Sequence, residues 1–320
     1  MTRWYQHRFH NVLTHRIVFY TIPRVPRFLH PPIAVVTALI FFFLLKRERR
    51  AVAGNLRRIS GKRGLALQWK VYCVFFSFCD FMVSYCYVPQ ATHAQLLSML
   101  VCEDKNKDED EDKDKDKAKA RGAAQIDQCL AAGNGLIVWT AHLGNSEFAS
   151  RLLEMHGRPV NVARLVEDKP AEIMLRNLMA NERLKIVDLG EGARATIELL
   201  QALRRNEIVA IQGDRVYQRH RAEVPFFSEP AAFPLGPFLL SQVSGAPVLP
   251  GFVIRQGWLR YRVLMGDPIP PSQSSSTSDD RDAGSQRSLR QAVGFLEKTL
   301  AAHYDQWFNF FDFWPVASRD

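Results

Sequence analysis

Thr140-Ala141-His142-Leu143-Gly144-Asn145-Ser146-Glu147 places a histidine five residues before a glutamate, just after the apolar run Gly135-Leu136-Ile137-Val138-Trp139. The run has the length and composition of a buried strand. Gly144, Asn145 and Ser146 supply turn and N-cap chemistry for a helix that follows. His142 is therefore expected at the carboxyl end of a strand. An imidazole there can take a proton from a hydroxyl near neutral pH, and a carboxylate on its other ring nitrogen fixes the tautomer and stabilises the imidazolium. His142 as base and Glu147 as orienter make a pair that requires no nucleophilic serine.

Three later segments carry related signals. Gln212-Gly213-Asp214-Arg215 follows the strand-like Glu207-Ile208-Val209-Ala210-Ile211. Pro225-Phe226-Phe227-Ser228 leads to Phe233-Pro234-Leu235-Gly236-Pro237, and Gly245 to Pro250 reads as a further strand. His303-Tyr304-Asp305-Gln306-Trp307 closes the series. Taken in order, these blocks resemble the HX4D/E acyltransferases, and the glutamate and the C-terminal Gln-Trp favour the lipid A late acyltransferase branch. The resemblance spans roughly residues 130–312.

The resemblance implies an α/β fold: one acyltransferase domain with a mostly parallel central sheet flanked by helices, plus an N-terminal membrane-associated helix. It implies a membrane-associated O-acyltransferase moving a fatty acyl group from acyl carrier protein or coenzyme A, as co-substrate, to a hydroxyl of a lipid or glycolipid, with no resident cofactor or metal. His142 and Glu147 would be catalytic. Arg164, Asp214, Arg215 and Asn145 would bind substrate or brace the pocket. The small, polar Leu143-Gly144-Asn145-Ser146 filling departs from the apolar one common in that branch. That departure leaves the acceptor open to another glycolipid, an aminolipid or a polyene-type lipid. A non-catalytic lipid-binding protein that has kept the fold is the alternative from another class.

From the residue pattern alone, Glu147 also suits the first turn of a helix, Arg164 a surface charge, and Asp214 with Arg215 an ion pair that holds a turn. His156, His220 and His303 read as structural or surface residues. A zinc hydrolase site of the HExxH type needs histidines at i and i+4, and the fourteen residues from His142 to His156 do not supply that spacing.

The net charge of +9 and pI near 9.4 suit an anionic partner. No helix-turn-helix or aromatic-basic RNA pattern accompanies it, so a membrane leaflet is favoured over nucleic acid. Arg24 and Arg27 precede the apolar run Ile33 to Leu45, and Lys46, Arg47, Arg49 and Arg50 follow it. Extended back to Phe28, the run has about 18 residues, short for a span and interrupted by Pro31 and Pro32. It reads as an anchor or a deeply inserted interfacial helix. The basic cluster where a cleavage site would lie argues against a signal peptide and places the enzyme domain on the cytoplasmic side, and the resemblance implies that the membrane is a bacterial inner membrane.

Five cysteines, Cys73, Cys79, Cys86, Cys102 and Cys129, without C-x-x-C spacing, point to a reducing compartment and small core side chains. The remaining organisation is expected as an anchor over 1–50, a helical region over 51–102, a charged insertion over 103–121 and the catalytic domain over 122–320. The apolar Trp69 to Val88 suits either lipid contact or packing on the sheet. The insertion holds nine acidic and seven basic residues with almost no apolar ones, the composition of a disordered linker. Strands are expected at 159–166, 184–189, 207–211, 248–254 and 259–265. Helices are expected at 171–181, 193–205, 235–243 and 288–307, with Pro270 to Ser285 as a Ser/Asp-rich loop.

Overall fold

A computed structural model of the chain describes residues 21–88, 91–101, 122–166, 183–217, 220–272 and 278–314. The charged insertion and the helix expected at 171–181 lie outside the described residues. Among the described residues, five α-helices come before the first strand: α1 (His30–Leu44), α2 (Lys46–Ser60), α3 (Gly64–Tyr87), α4 (His93–Ser98) and α5, over 122–130. Then come β1 (Leu136–Thr140), α6 (Ser146–Leu153), β2 (Val160–Arg164), β3 (Leu184–Asp188), α7 (Ala193–Arg204) and β4 (Ile208–Gln212). The chain continues through β5 (Arg221–Phe226), β6 (Glu229–Pro234), α8 (Gly236–Ser244), β7 (Val248–Gly257), β8 (Arg260–Met265) and α9 (Ser278–His303).

Six strands form one sheet in the order β3-β2-β4-β1-β7-β8, parallel except for the antiparallel edge strand β8. The first strand is central because β4 and β7 pair on either side of it, and all five of its residues are buried. A parallel strand covered on both faces must be apolar throughout, which is why Leu136-Ile137-Val138-Trp139 shows no alternation. Odd-numbered residues such as Ile137 and Trp139 join the large cluster with α7, α8 and α9, whereas Leu136 and Val138 face the layer of α5 and α6.

Two differences from the sequence expectation have clear causes. β5 and β6 form a separate antiparallel hairpin, turned by Phe227 and Ser228 at positive φ. Its Arg221-Ala222-Glu223-Val224-Pro225-Phe226 alternates exposed and buried, a period of two that the Pro and Phe content obscured. The last helix starts at Ser278 rather than Ser288 and ends at His303, so the C-terminal part of the expected Ser/Asp-rich loop is helical. Serine and aspartate favour a helix's N-terminal turns, and here they open it.

α1 and α2 meet at 96°, so the apolar run and the basic helix after it are not one straight rod. α3 is long and apolar enough to cross a membrane by length and composition, yet much of it is covered by protein. Val71, Val74 and Phe75 are fully enclosed with Ala34, Ala38, Val52 and Leu56. Near the middle of α3, buried Asp80 lies 3.2 Å from Arg255 Nε of β7, and Arg255 Nη2 donates to Ser77 Oγ at 3.2 Å. This ion pair fastens α3 to the sheet. The described cysteines are free, and Cys79, Cys86 and Cys129 are buried among apolar side chains.

Asp80→Ala should lower stability by about 2 kcal/mol, or roughly 2–4 °C in Tm, because it strands a partly buried guanidinium. Thermal unfolding in mild detergent measures this. A rise in Tm would mean that α3 prefers lipid to Arg255.

Candidate functional site

Equal offsets on neighbouring parallel strands build the site. Thr140 pairs with Gln212, so His142 and Asp214, each two residues further on, emerge side by side at the carboxyl ends of β1 and β4. The Gly213 N–H donates to the Thr140 carbonyl at 2.8 Å and keeps the two chains paired past the strands. A Cβ at Gly213 would lie 1.8 Å from the Trp139 indole nitrogen, so glycine is required there. Gly144 has φ +68° and approaches the Val253 carbonyl so closely that a Cβ would sit 2.0 Å from its oxygen. This lets the loop after β1 turn over the end of β7.

His142 Nδ1 lies 2.7 Å from Asp214 Oδ1, and the His142 backbone N–H donates to the same oxygen at 3.1 Å. Asp214 Oδ2 accepts from Trp307 Nε1 and Asn309 Nδ2, each at 3.0 Å. The carboxylate is completely enclosed, whereas the imidazole is 17% exposed. With Nδ1–H given to Asp214, Nε2 is left as the basic nitrogen.

Burial pushes the Asp214 carboxyl up, but the charges of His142 and Arg215 and the donors from His142 and Trp307 outweigh it and hold the group well below the usual carboxylate range. Burial and then Arg215 push the imidazole below its ordinary value, and Asp214 opposes them without reversing the direction. The ring is therefore neutral, and able to accept a proton, at neutral pH.

The remaining expected site residues are distributed differently. Glu147 Oε1 faces Arg164 Nη1 at 3.5 Å, so the ring of His142 is held by Asp214, and Glu147 is salt-bridged to the end of β2. The cause is geometric: Glu147 rides on the first turn of α6, while Asp214 leaves β4 in register with His142. Asn145 caps α6 by accepting from the Phe148 N–H at 3.0 Å and donates to Ser84 Oγ of α3 at 2.9 Å. Its carboxamide is buried between protein elements in a capping and docking position. Arg215 donates through Nε to Asn309 Oδ1 at 2.7 Å and through Nη2 to the Phe308 carbonyl at 2.8 Å, bracing the C-terminal segment.

Trp307 and Asn309 are the functional candidates that sequence reasoning missed in this role. Residues 306–309 cross the carboxyl ends of the strands, where Phe308 N–H donates to the His142 carbonyl at 2.8 Å and Gly144 N–H to the Gln306 carbonyl at 2.9 Å. Gln306 also clamps the Arg255 backbone through both ends of its carboxamide.

A cavity of about 850 Å³ opens on the α5/α6 face of the sheet. Val138, Val162, Ala210, Ile126 and Leu153 give it an apolar interior, and Glu147, Arg164 and Gln212 line it at the carboxyl ends of the strands. A recess with an apolar lining and polar groups at one end suits a ligand with a polar end and a long apolar tail.

The family profile for bacterial lipid A biosynthesis acyltransferases matches residues 14–314. The chain belongs to that family. It is also 35% identical over 133 residues to the phosphatidylinositol mannoside acyltransferases of two Mycobacterium tuberculosis strains, CDC 1551 / Oshkosh and ATCC 25618 / H37Rv. The matched stretch covers 40% of this chain and 42% of each relative. The matched stretch takes in the N-terminal helices, the sheet and the C-terminal segment that holds Asp214.

The imidazole should titrate below the ordinary histidine value of about 6.5. In Asp214→Asn the titration should move lower still, because the one group that raises it is gone while burial and Arg215 remain. NMR titration of the His142 ring reads both. An upward move in Asp214→Asn would contradict the charge balance.

Proposed function

We propose that the protein is a membrane-surface acyltransferase that moves a fatty acyl group from a thioester, on acyl carrier protein or coenzyme A, to a hydroxyl of a glycolipid. The observation that carries this reading is the 2.7 Å contact between His142 Nδ1 and buried Asp214, which leaves Nε2 as a base. Nε2 takes the proton of the acceptor hydroxyl as its oxygen attacks the thioester carbonyl. The C–O bond forms, the C–S bond breaks, and the thiolate recovers the proton from the imidazolium. Asp214 stabilises the imidazolium while it lasts. The apolar cavity is suited to the acyl chain, and Arg164, paired with Glu147 in its wall, to an anionic part of donor or acceptor. A family described by lipid A and relatives named for a phosphatidylinositol mannoside favour a glycolipid acceptor.

Attachment to the membrane is ascribed to α1 and the start of α3. Val36, Ile40, Phe43 and Leu44 of α1 are about half exposed or more, as are Leu65 and Trp69 of α3. These two ends are neighbours, since Phe42 of α1 lies against Tyr72 and Phe75 of α3. Exposed Lys46, Arg47 and Arg50 follow α1 directly, and exposed Lys62 and Arg63 precede α3. An apolar face rimmed by cations fits an anionic leaflet, with α1 lying in its surface and the catalytic domain on the cytoplasmic side.

His142→Ala should reduce transfer by about 10²- to 10⁴-fold, because a base acts in the transition state, and should also lower Tm, because buried Asp214 loses its ring donor. Thiol release from palmitoyl-coenzyme A in the presence of the cell's own lipid extract measures it. Near-normal turnover in a folded variant would favour a lipid-binding protein that has kept the fold.

Replacing Val36, Ile40 and Phe43 together by Asp should abolish flotation with phosphatidylglycerol vesicles while leaving the fold intact, since burying each of these side chains in lipid contributes about 1.5–3 kcal/mol. High salt should not release the unaltered protein. Full binding by the triple variant would place the contact elsewhere.

A further inference from the structure

Residues 307–310 run as an extended strap whose side chains alternate. Trp307 and Asn309 turn toward Asp214, whereas Phe308 and Phe310 turn toward α3, with Phe78 at 5.5 Å and 5.1 Å from their respective ring centres. The strap is fixed on both sides, by the Phe308 N–H to the His142 carbonyl and by Asn55 Nδ2 to the Asn309 carbonyl at 3.2 Å. Asn309 itself is enclosed at 1% exposure.

Its carboxamide stands between two opposite charges. Oδ1 takes the Nε–H of Arg215 at 2.7 Å, and Nδ2 gives a hydrogen to Asp214 Oδ2 at 3.0 Å. Only one orientation of the amide satisfies both, because a guanidinium only donates and a carboxylate only accepts. Arg215 and Asp214 are sequence neighbours, and a guanidinium readily forms a forked pair with a carboxylate when nothing intervenes. Such a pair would draw Asp214 away from the imidazole and offset the charge that stabilises the imidazolium.

We propose that Asn309 is a positioning residue that keeps Arg215 off Asp214, so that the carboxylate acts on His142. The inference rests on the reading of His142 as the base and Asp214 as its orienter. Asn309 occupies Arg215 with its own oxygen and returns to Asp214 a neutral N–H in place of a cation. Trp307 supplies the second neutral donor to the same oxygen. Among the described residues, the charged groups acting on the imidazole are Asp214 and Arg215, both from the β4 loop. The strap brings only neutral donors, and Glu147 on α6 is engaged with Arg164 of β2.

The test is a double-mutant cycle on the full chain with palmitoyl-coenzyme A and the cell's lipid extract, combining Asn309→Leu and Arg215→Met. Asn309→Leu should lower kcat about 10- to 100-fold, the loss expected for a hydrogen bond to a charged group, with KM little changed. Adding Arg215→Met should restore part of that loss, because the competing cation is gone. A side chain that merely fills space would give losses that multiply, and that result overturns the proposal. Asn309→Asp, which matches the native shape, covers the case in which Asn309→Leu does not fold. Its added negative charge should raise the pH at which kcat/KM falls on the acid side, whereas Asn309→Leu, by letting Arg215 reach Asp214, should lower it. An acid limb unmoved in Asn309→Asp overturns the proposal as well. His142→Ala run in parallel separates the two failures: if it remains active, the base reading falls, and if it is inactive while the Asn309 variants behave as wild type, only the role of Asn309 falls.

Discussion

A fully buried carboxylate has to be surrounded by donors, and Asp214 sets that requirement for the whole protein. Taking an ionised carboxylate out of water costs several kcal/mol unless its lone pairs are satisfied. Here four donors do so: the His142 backbone and ring, the Trp307 indole and the Asn309 carboxamide. They come from residue 142 and from residues 307 and 309, so the site exists only when β1, β4 and the C-terminal strap are assembled. Charge and fold are thereby linked, and the imidazole is oriented as a consequence.

The same strap connects the chemistry to the membrane-facing helices. Phe308 and Phe310 pack on α3 among Phe75, Phe78 and Phe81, and Asn55 of α2 bonds the carbonyls of Asn309 and Phe311. Asn55 Oδ1 in turn accepts from the Phe313 N–H at 3.0 Å. The N-terminal helices are thus part of the frame that holds the strap against Asp214, and the division at residue 50 expected from hydropathy runs through this frame. Most of α3's apolar residues serve the contact with α1, α2 and the strap, while Leu65 and Trp69 near its start are exposed, and its one acidic residue, Asp80, is paired with Arg255.

Features governed by local periodicity were legible in the sequence. The strand before His142, the helix start at Asn145 and Ser146, the order of the parallel strands' segments and the family itself follow from apolar runs, turn residues and ordered blocks. The partner of His142 was not legible, because a spacing of five draws attention to Glu147 whereas the actual neighbour depends on register between β1 and β4. Once two parallel strands are paired, equal offsets past their ends meet, and sequence alone does not state the pairing. Trp307 was legible as part of the C-terminal block, but its role as a donor and that of Asn309 were hidden for the related reason that the segment's alternation shows only once it is placed between Asp214 and α3. The β5–β6 hairpin carried a period-two signal that its Pro and Phe residues obscured.

We propose that the carboxylate acting through His142 is Asp214, with Glu147 engaged with Arg164 at the cavity wall. Steady-state kinetics of Asp214→Asn and Glu147→Gln, measured side by side over a range of donor concentrations, test it most directly. Asp214→Asn should lower kcat by about 10²-fold or more with KM nearly unchanged, since orientation and imidazolium stabilisation act in the transition state. Glu147→Gln should act mainly on KM. A collapse of kcat in Glu147→Gln with Asp214→Asn close to wild type would contradict the account.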